Sequence, residues 1–279
     1  MNTTAKTRKL PWWIWGPVIV GTFVALVWLE RKRPLRRETE PKLRRDARNL
    51  TVAGLGAVSL MLAERPVIQP LTSFVVKQRW GLLQRIRMPL WLEVTIATVL
   101  LDYTLYVWHV ATHRVPWLWR FHAVHHVDLD LDASTAIRFH FGELTQSVAW
   151  RAAQVAVIGV SPLSLSVWST LLLVSILFHH SNVKLPIETE RRLNRFVVTP
   201  RMHGIHHAAV PELTDSNWSS GLTVWDRLHG TLRVDVSQDE FEIGVPGYRD
   251  PEEVTLPRIL AMPFEEQRDT RAVASPELR

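Results

Sequence analysis

The sequence contains no cysteine. That one absence excludes disulfides, thiolate metal ligands, haem-thiolate chemistry and cysteine-held iron–sulfur clusters. It also lacks an HExxH motif, so the glutamate base of a helical zinc hydrolase is missing. A glycine-rich phosphate loop, a GxSxG elbow and flavin or nicotinamide fingerprints are missing too. No convincing set of alternating apolar and polar runs marks strands.

What is present is apolar and charged in separate stretches: 47% of the 279 residues are hydrophobic, yet mean hydropathy is near zero. Residues 12–29, "WWIWGPVIVGTFVALVWL", carry no charge and are long enough to cross about 30 Å of hydrocarbon as a helix. Pro17 is tolerated in such a helix. A cleaved leader is the competing reading, and the lack of a small-residue cleavage site argues against it. From Glu30 to Arg48 there are nine Lys or Arg against four acids, which predicts a cytoplasmic loop. Nucleic-acid binding would need a recognition helix or stacking platform that nothing nearby supplies. Trp12, Trp13, Trp28, Trp80 and Trp91 flank apolar runs, as interfacial anchors do.

Further apolar segments follow. Residues 50–62 read as the first arm of a hairpin continuing through 66–76, broken by Pro66 and Pro70. A helix is expected from Pro89 through His113. Residues 147–160 and 163–178 are each short for a span, and read as a tilted pair or a hairpin entering and leaving from one side. The expected division is 1–48 (membrane helix and basic loop), 49–235 (catalytic domain) and 236–279 (polar tail). The segment after 231 reads as surface.

All twelve histidines fall between 109 and 229. At about 100° per residue, Asp102, Tyr106, His109 and His113 share one narrow helix face. Such a row must point into protein rather than lipid, and His109 and His113 at i, i+4 suit one metal ion. "HAVHH" (His122, His125, His126) and "HGIHH" (His203, His206, His207) repeat one spacing, read here as three imidazoles on one side. Eight imidazoles exceed what one ion needs and suit two side by side. His140 and one of His179 and His180, with His180 preferred, are candidate additions, and Glu143 is placed to accept from a ring N–H; His229 reads as structural. Imidazole suits zinc, copper, iron and nickel alike, but only a redox-active metal such as iron would let the site activate O2 against an unactivated C–H bond.

The ordered motifs "DYTLYVWHVATH", "WRFHAVHH", "RFHFGE", "FHHSN", "RMHGIHH" and "DSNWSSGLTVWDRLHGT" resemble the fatty acid hydroxylase / sterol desaturase superfamily over residues 90–235. The resemblance implies an all-α integral membrane helical bundle with a cytoplasmic histidine-rich di-metal cap. It further implies two iron ions, O2 as co-substrate and hydroxylation or desaturation of a membrane lipid. The implied ligands are His109, His113, His122, His125, His126, His203, His206 and His207, with His140 and His180 added. Asp102, Glu143, Asn182, Asp215 and Asn217 are expected around them as orienting residues. Electrons are expected from a separate ferredoxin or small cytochrome with its reductase, and no nucleic-acid partner is expected. The chain departs from the family pattern at Trp218, His229 and Phe141, which bears on the substrate cavity rather than on the ligands. Two alternatives stand beside this reading: a pterin-dependent ether-lipid monooxygenase, and a histidine-lined metal transporter or sensor.

Overall fold

A computed structural model describes residues 6–268. The fold is all-helical, with no strand among the described residues. Among the described residues, four helical runs are long and apolar enough to cross a membrane: Trp12–Lys32, Lys42–Arg85, Leu90–Arg114 and Pro162–His180. The protein is an integral membrane protein by this measure.

Helix α1 (Trp12–Lys32) follows Pro11 and ends on Arg31 and Lys32, cations that complement the negative helix terminus. Its Trp12, Trp13, Val20, Val24 and Trp28 are exposed, the pattern of a helix facing hydrocarbon. Helix α2 (Lys42–Ser59) passes without a break through a π turn (Leu60–Glu64) into α3 (Arg65–Lys77). The expected hairpin is therefore one long helix. Pro66 has no N–H to give to a residue in the preceding turn, and the widened π turn just before it accommodates that loss.

Helix α4 (Leu90–Arg114) is 25 residues long, about 37 Å at 1.5 Å per residue. It stops at Val115, whose extended backbone precedes Pro116, and α5 (Pro116–His126) starts on that proline. Helix α6 (Phe141–Gln154) continues through a second π turn to Gly159. Ser161 then caps α7 (Pro162–His180), its hydroxyl accepting the Ser164 N–H at 3.2 Å. Residues 147–178 thus form a helical hairpin, and α7, read from sequence as short for a span, is long and apolar enough to be one. The hairpin tip needs Gly159 (φ 80°), where a Cβ would press on the backbone of Gly81 (φ 85°).

The two ends of the bundle differ. At one end, the Leu10 N–H donates to Ser166 Oγ at 2.8 Å and Gln84 Nε2 donates to the Gly159 carbonyl at 2.8 Å. At the other, Glu30 Oε1 accepts the N–H groups of Ala133 and Asn182, both at 2.8 Å. That carboxylate ties the end of α1 to the loops after α5 and α7. The histidine motifs all lie at this second end.

There the basic loop and the start of α2 belong to the cap itself. Asp128 is buried among Arg45 and Arg138 (both 3.0 Å) and Arg48 (3.2 Å), while Arg45 also pairs with Asp132. The segment expected as surface also joins in. Val245, Tyr248, Val254, Ile259 and Met262 form a core with Val52, Val124 and Val127. Val245, Tyr248 and Val254 are spaced among glycines and prolines without helical or strand period, and Leu256, Ile259 and Met262 repeat every three residues only across one short helix (Leu256–Ala261) and its end, so their burial left little pattern to read. The last part of the tail, 269–279, lies outside the described residues, as do residues 1–5.

Candidate metal centre

Local structure brings nine imidazoles into two buried groups. His109, His113, His122, His126 and His206 form one, and His125, His180, His203 and His207 the other; within each, one nitrogen per ring lies within 4.8 Å of the rest. His109 and His113 sit one turn apart near the end of α4, and His122, His125 and His126 near the end of α5. His180 closes α7. His203 and His206 lie on α8 (Pro200–His206), with His207 as its C-cap.

The HxxHH motifs do not aim three rings one way. The i, i+4 pair His122/His126 enters the first group and His125 crosses to the second. His203/His207 enters the second group and His206 crosses to the first. Neighbouring residues on a helix diverge by about 100°, so each HH doublet straddles both groups. The stacked rings of His126 and His207, 4.2 Å apart, join them.

Ring orientation is fixed from behind. His122 Nδ1 donates to Glu143 Oε1 at 2.8 Å, His109 Nδ1 to the Trp218 carbonyl at 2.7 Å, His206 Nδ1 to the Ser216 carbonyl at 2.8 Å and His180 Nδ1 to the Ile176 carbonyl at 2.8 Å. With the proton on Nδ1, each neutral ring turns an Nε2 lone pair inward, the arrangement a metal ligand requires.

These rings fit a metal pair. In the second group His180 Nε2 stands 3.0 Å from both His125 Nε2 and His203 Nε2, and His203 Nε2 is 3.1 Å from His207 Nε2. Nitrogens about 2.1 Å from one ion and at right angles about it stand about 3.0 Å apart. In the first group the Nε2 atoms of His113, His122, His126 and His206 are buried with no hydrogen-bond partner. Each such orphan costs about 1–3 kcal/mol, a cost that coordination removes. Burial pushes the pKa of the His125, His126, His203 and His207 rings well down, reinforced by neighbouring rings, and that of His206 to about 3. They are therefore neutral donors at ordinary pH, as binding demands.

The remaining expected residues divide. His140 joins neither group. Its Nδ1 accepts the Gly142 N–H at 3.0 Å as the N-cap of α6, and its Nε2 lies 3.3 Å from the Leu260 carbonyl. Both nitrogens are engaged, so His140 is a helix cap, and Glu143 serves His122 rather than His140. Asp102 touches no histidine: its Oδ2 accepts the Leu222 N–H at 3.0 Å and the Trp225 indole N–H at 2.7 Å. It pins the loop whose Trp218 carbonyl meets His109, and the approach requires glycine at 221, where a Cβ would overlap the carboxylate. Asn217, at φ 54°, anchors to the Met202 and Arg233 carbonyls, so the carbonyls on either side of it reach His206 and His109. Asn182 clamps Arg36 through both its amide ends, and Asp215 pairs with Arg114 at 3.2 Å. Neither contacts a ring of the two groups.

Asp226 went unread in the sequence, and His179 stood there only as the less favoured neighbour of His180. Asp226 is buried and accepts the N–H groups of Trp218 (3.0 Å) and Ser219 (3.1 Å) and the Thr231 hydroxyl (2.7 Å). It holds the same loop from below; burial raises its pKa, and these donors oppose the rise. An acid inside the apolar "TVWDRL" was the available signal. His179 is buried with neither nitrogen partnered, its ring 4.1 Å from that of His203. It packs on the second group without entering it. His229 lies outside both groups, its Nε2 3.3 Å from the Tyr103 hydroxyl.

The chain is similar in sequence to known proteins across this region. The fatty acid hydroxylase family profile matches residues 94–231. The chain is 30% identical to ornithine lipid hydroxylase OlsE of Rhizobium tropici over 57% of its own length and 47% of that protein's. It is 30% identical to cholesterol 25-hydroxylase of Mus musculus over 50% of its length and 47% of that protein's. With alkylglycerol monooxygenase of Xenopus tropicalis it is 28% identical over 47% of its length and 28% of that protein's. The chain thus spans about half the length, or less, of the curated relatives it matches. No solved structure matches it. Through residues 94–231, which carry every ring of both histidine groups, the chain belongs to the fatty acid hydroxylase family.

Proposed function

We propose that the protein is a membrane-bound oxidoreductase that uses O2 to hydroxylate a C–H bond of a lipid, with two iron ions held by the nine converging histidines. The observation that carries this reading is the pair of interleaved groups of neutral, buried imidazoles at one end of a membrane bundle. Redox-active iron, when bound, supplies the O2 activation that no side chain here can provide. The family match and the names of the relatives, two hydroxylases and a monooxygenase, support hydroxylation over desaturation.

The chain's own residues have definite parts in this scheme. His109, His113, His122, His126 and His206 hold one ion; His125, His180, His203 and His207 hold the other. Glu143 and the carbonyls of Ser216, Trp218 and Ile176 keep their ring protons on Nδ1 and the metal-binding lone pairs inward. The cap built by Asp128, its arginines and the 243–262 segment keeps bulk water from the rings.

The site faces the cytoplasm, because the basic stretch from Arg31 to Arg48 lies at the histidine end. Electrons come from a separate ferredoxin or small cytochrome. A pterin-supplied variant of the reaction is favoured only by the alkylglycerol monooxygenase match. A transporter needs a polar path across the bilayer, whereas the rings gather at one end.

Lipid mass analysis of cells with and without the protein tests the proposal. A gain of one oxygen in a lipid class, lost in His122→Ala and His206→Ala, is expected. Product persisting in both variants would overturn the ligand assignment, and metal uptake into vesicles without O2 consumption would favour the transporter.

A further inference from the structure

At the opposite end of the bundle lies an open cavity of about 300 Å³ between α3 and α7. Its lining joins two kinds of surface. Leu60, Met61, Ile68 and Leu165 are apolar; Lys9 and Arg65 bring two cations to its mouth. The cations are close enough that Arg65, after burial, helps lower the Lys9 ammonium. Neither makes a salt bridge or side-chain hydrogen bond among the described residues. Glu64 also lines the cavity, so its three charged side chains carry one net positive charge, and Arg151 on α6 lies within electrostatic reach of that carboxylate.

Arg65 opens α3 and shares the cavity with Pro162, Leu165 and Ser166 at the start of α7. It directly follows the π turn, a distortion that often marks functional positions. Lys9 is brought to it by the Leu10 N–H bond to Ser166 Oγ. Met61 and Leu62 are exposed beside the opening.

We propose that this cavity binds one anionic phospholipid from the leaflet opposite the histidines. Its phosphodiester sits between Lys9 and Arg65, and an acyl chain lies along Met61 and Leu62. Charge complementarity selects the headgroup, because two unpaired cations beside apolar wall match an anion joined to a hydrocarbon chain. The volume admits a glycerophosphate group and leaves the chains outside, where exposed apolar side chains wait. This site is separate from the histidine groups and does not depend on what they bind.

Native mass spectrometry of the full chain in detergent, with phosphatidylglycerol, phosphatidylcholine or inorganic phosphate added, tests the proposal. One tightly held phosphatidylglycerol per chain is expected, binding at least tenfold tighter than phosphatidylcholine. Lys9→Gln with Arg65→Gln should weaken it at least tenfold with metal content unchanged, and Arg65→Lys alone should keep most of it. Equal binding of the two lipids, or undiminished binding in the double variant, would overturn the assignment. Displacement of the lipid by millimolar inorganic phosphate would overturn the lipid in favour of a free-phosphate site.

Discussion

Glu143 and His140 lie three residues apart, and their local sequence makes them equally plausible helpers of a metal. Their contacts separate them. Glu143 fixes the ring proton of His122, so Glu143→Gln should lower metal affinity about 10–100-fold, as loss of such orienting carboxylates does. His140→Ala should leave metal content near normal and cost about 0.5–2 kcal/mol through the lost cap of α6. Competition with a chelator and thermal unfolding, run on both variants, check the contrast. Metal loss in His140→Ala equal to that in Glu143→Gln would refute it. Sequence could not separate the two, since an imidazole nitrogen bonded to the next turn looks the same in one dimension as one aimed at an ion.

At the level of elements, the spacing HxxHH was legible as clustered imidazoles, but its division was not. Which ring of a doublet joins which group depends on how α4, α5, α7 and α8 meet, a matter of long-range packing. The division predicts that His125→Ala and His126→Ala, though adjacent, damage different centres. Each should lower metal content from about two ions per chain to about one, and the remaining ion should differ in its absorption spectrum between them. Identical spectra would contradict the split. Elsewhere, Pro66 and Pro70 suggested a break where α2 and α3 form one helix: a π turn precedes Pro66, and Pro70 lies inside the continuing helix. Of the four candidate spans, α1 and α4 were plain from unbroken apolar runs of spanning length, whereas α7 read as short for a span and α2–α3 as interrupted.

Over the whole molecule, the cap is pinned by a buried charge cluster that joins α2 to the loop after α5. Burial alone would raise the Asp128 carboxyl, but Arg45, Arg138 and Arg48 outweigh it and hold it far below the ordinary carboxylate range. A folded pKa below the unfolded value, about 3.9, contributes stability that is complete above that pH. It drains away as pH falls through the lower folded value. Asp128→Asn should therefore cost about 3–5 kcal/mol near neutrality and flatten the acid limb of the stability curve. Denaturation at stepped pH checks both effects; an unchanged acid limb would count against the cluster. Orientation is testable at the same scale, since the absence of cysteine gives a silent background. Arg37→Cys, exposed on the cap, should react with an impermeant reagent in inverted vesicles and not in intact cells.

The most direct test of the account is the metal content of the purified protein, by elemental analysis with X-ray absorption at the metal edge. Two transition ions per chain, mostly iron, with nitrogen neighbours at about 2.1 Å are expected. A chain folded and lipid-bound yet carrying no such ion, or one surrounded chiefly by oxygen, would contradict it.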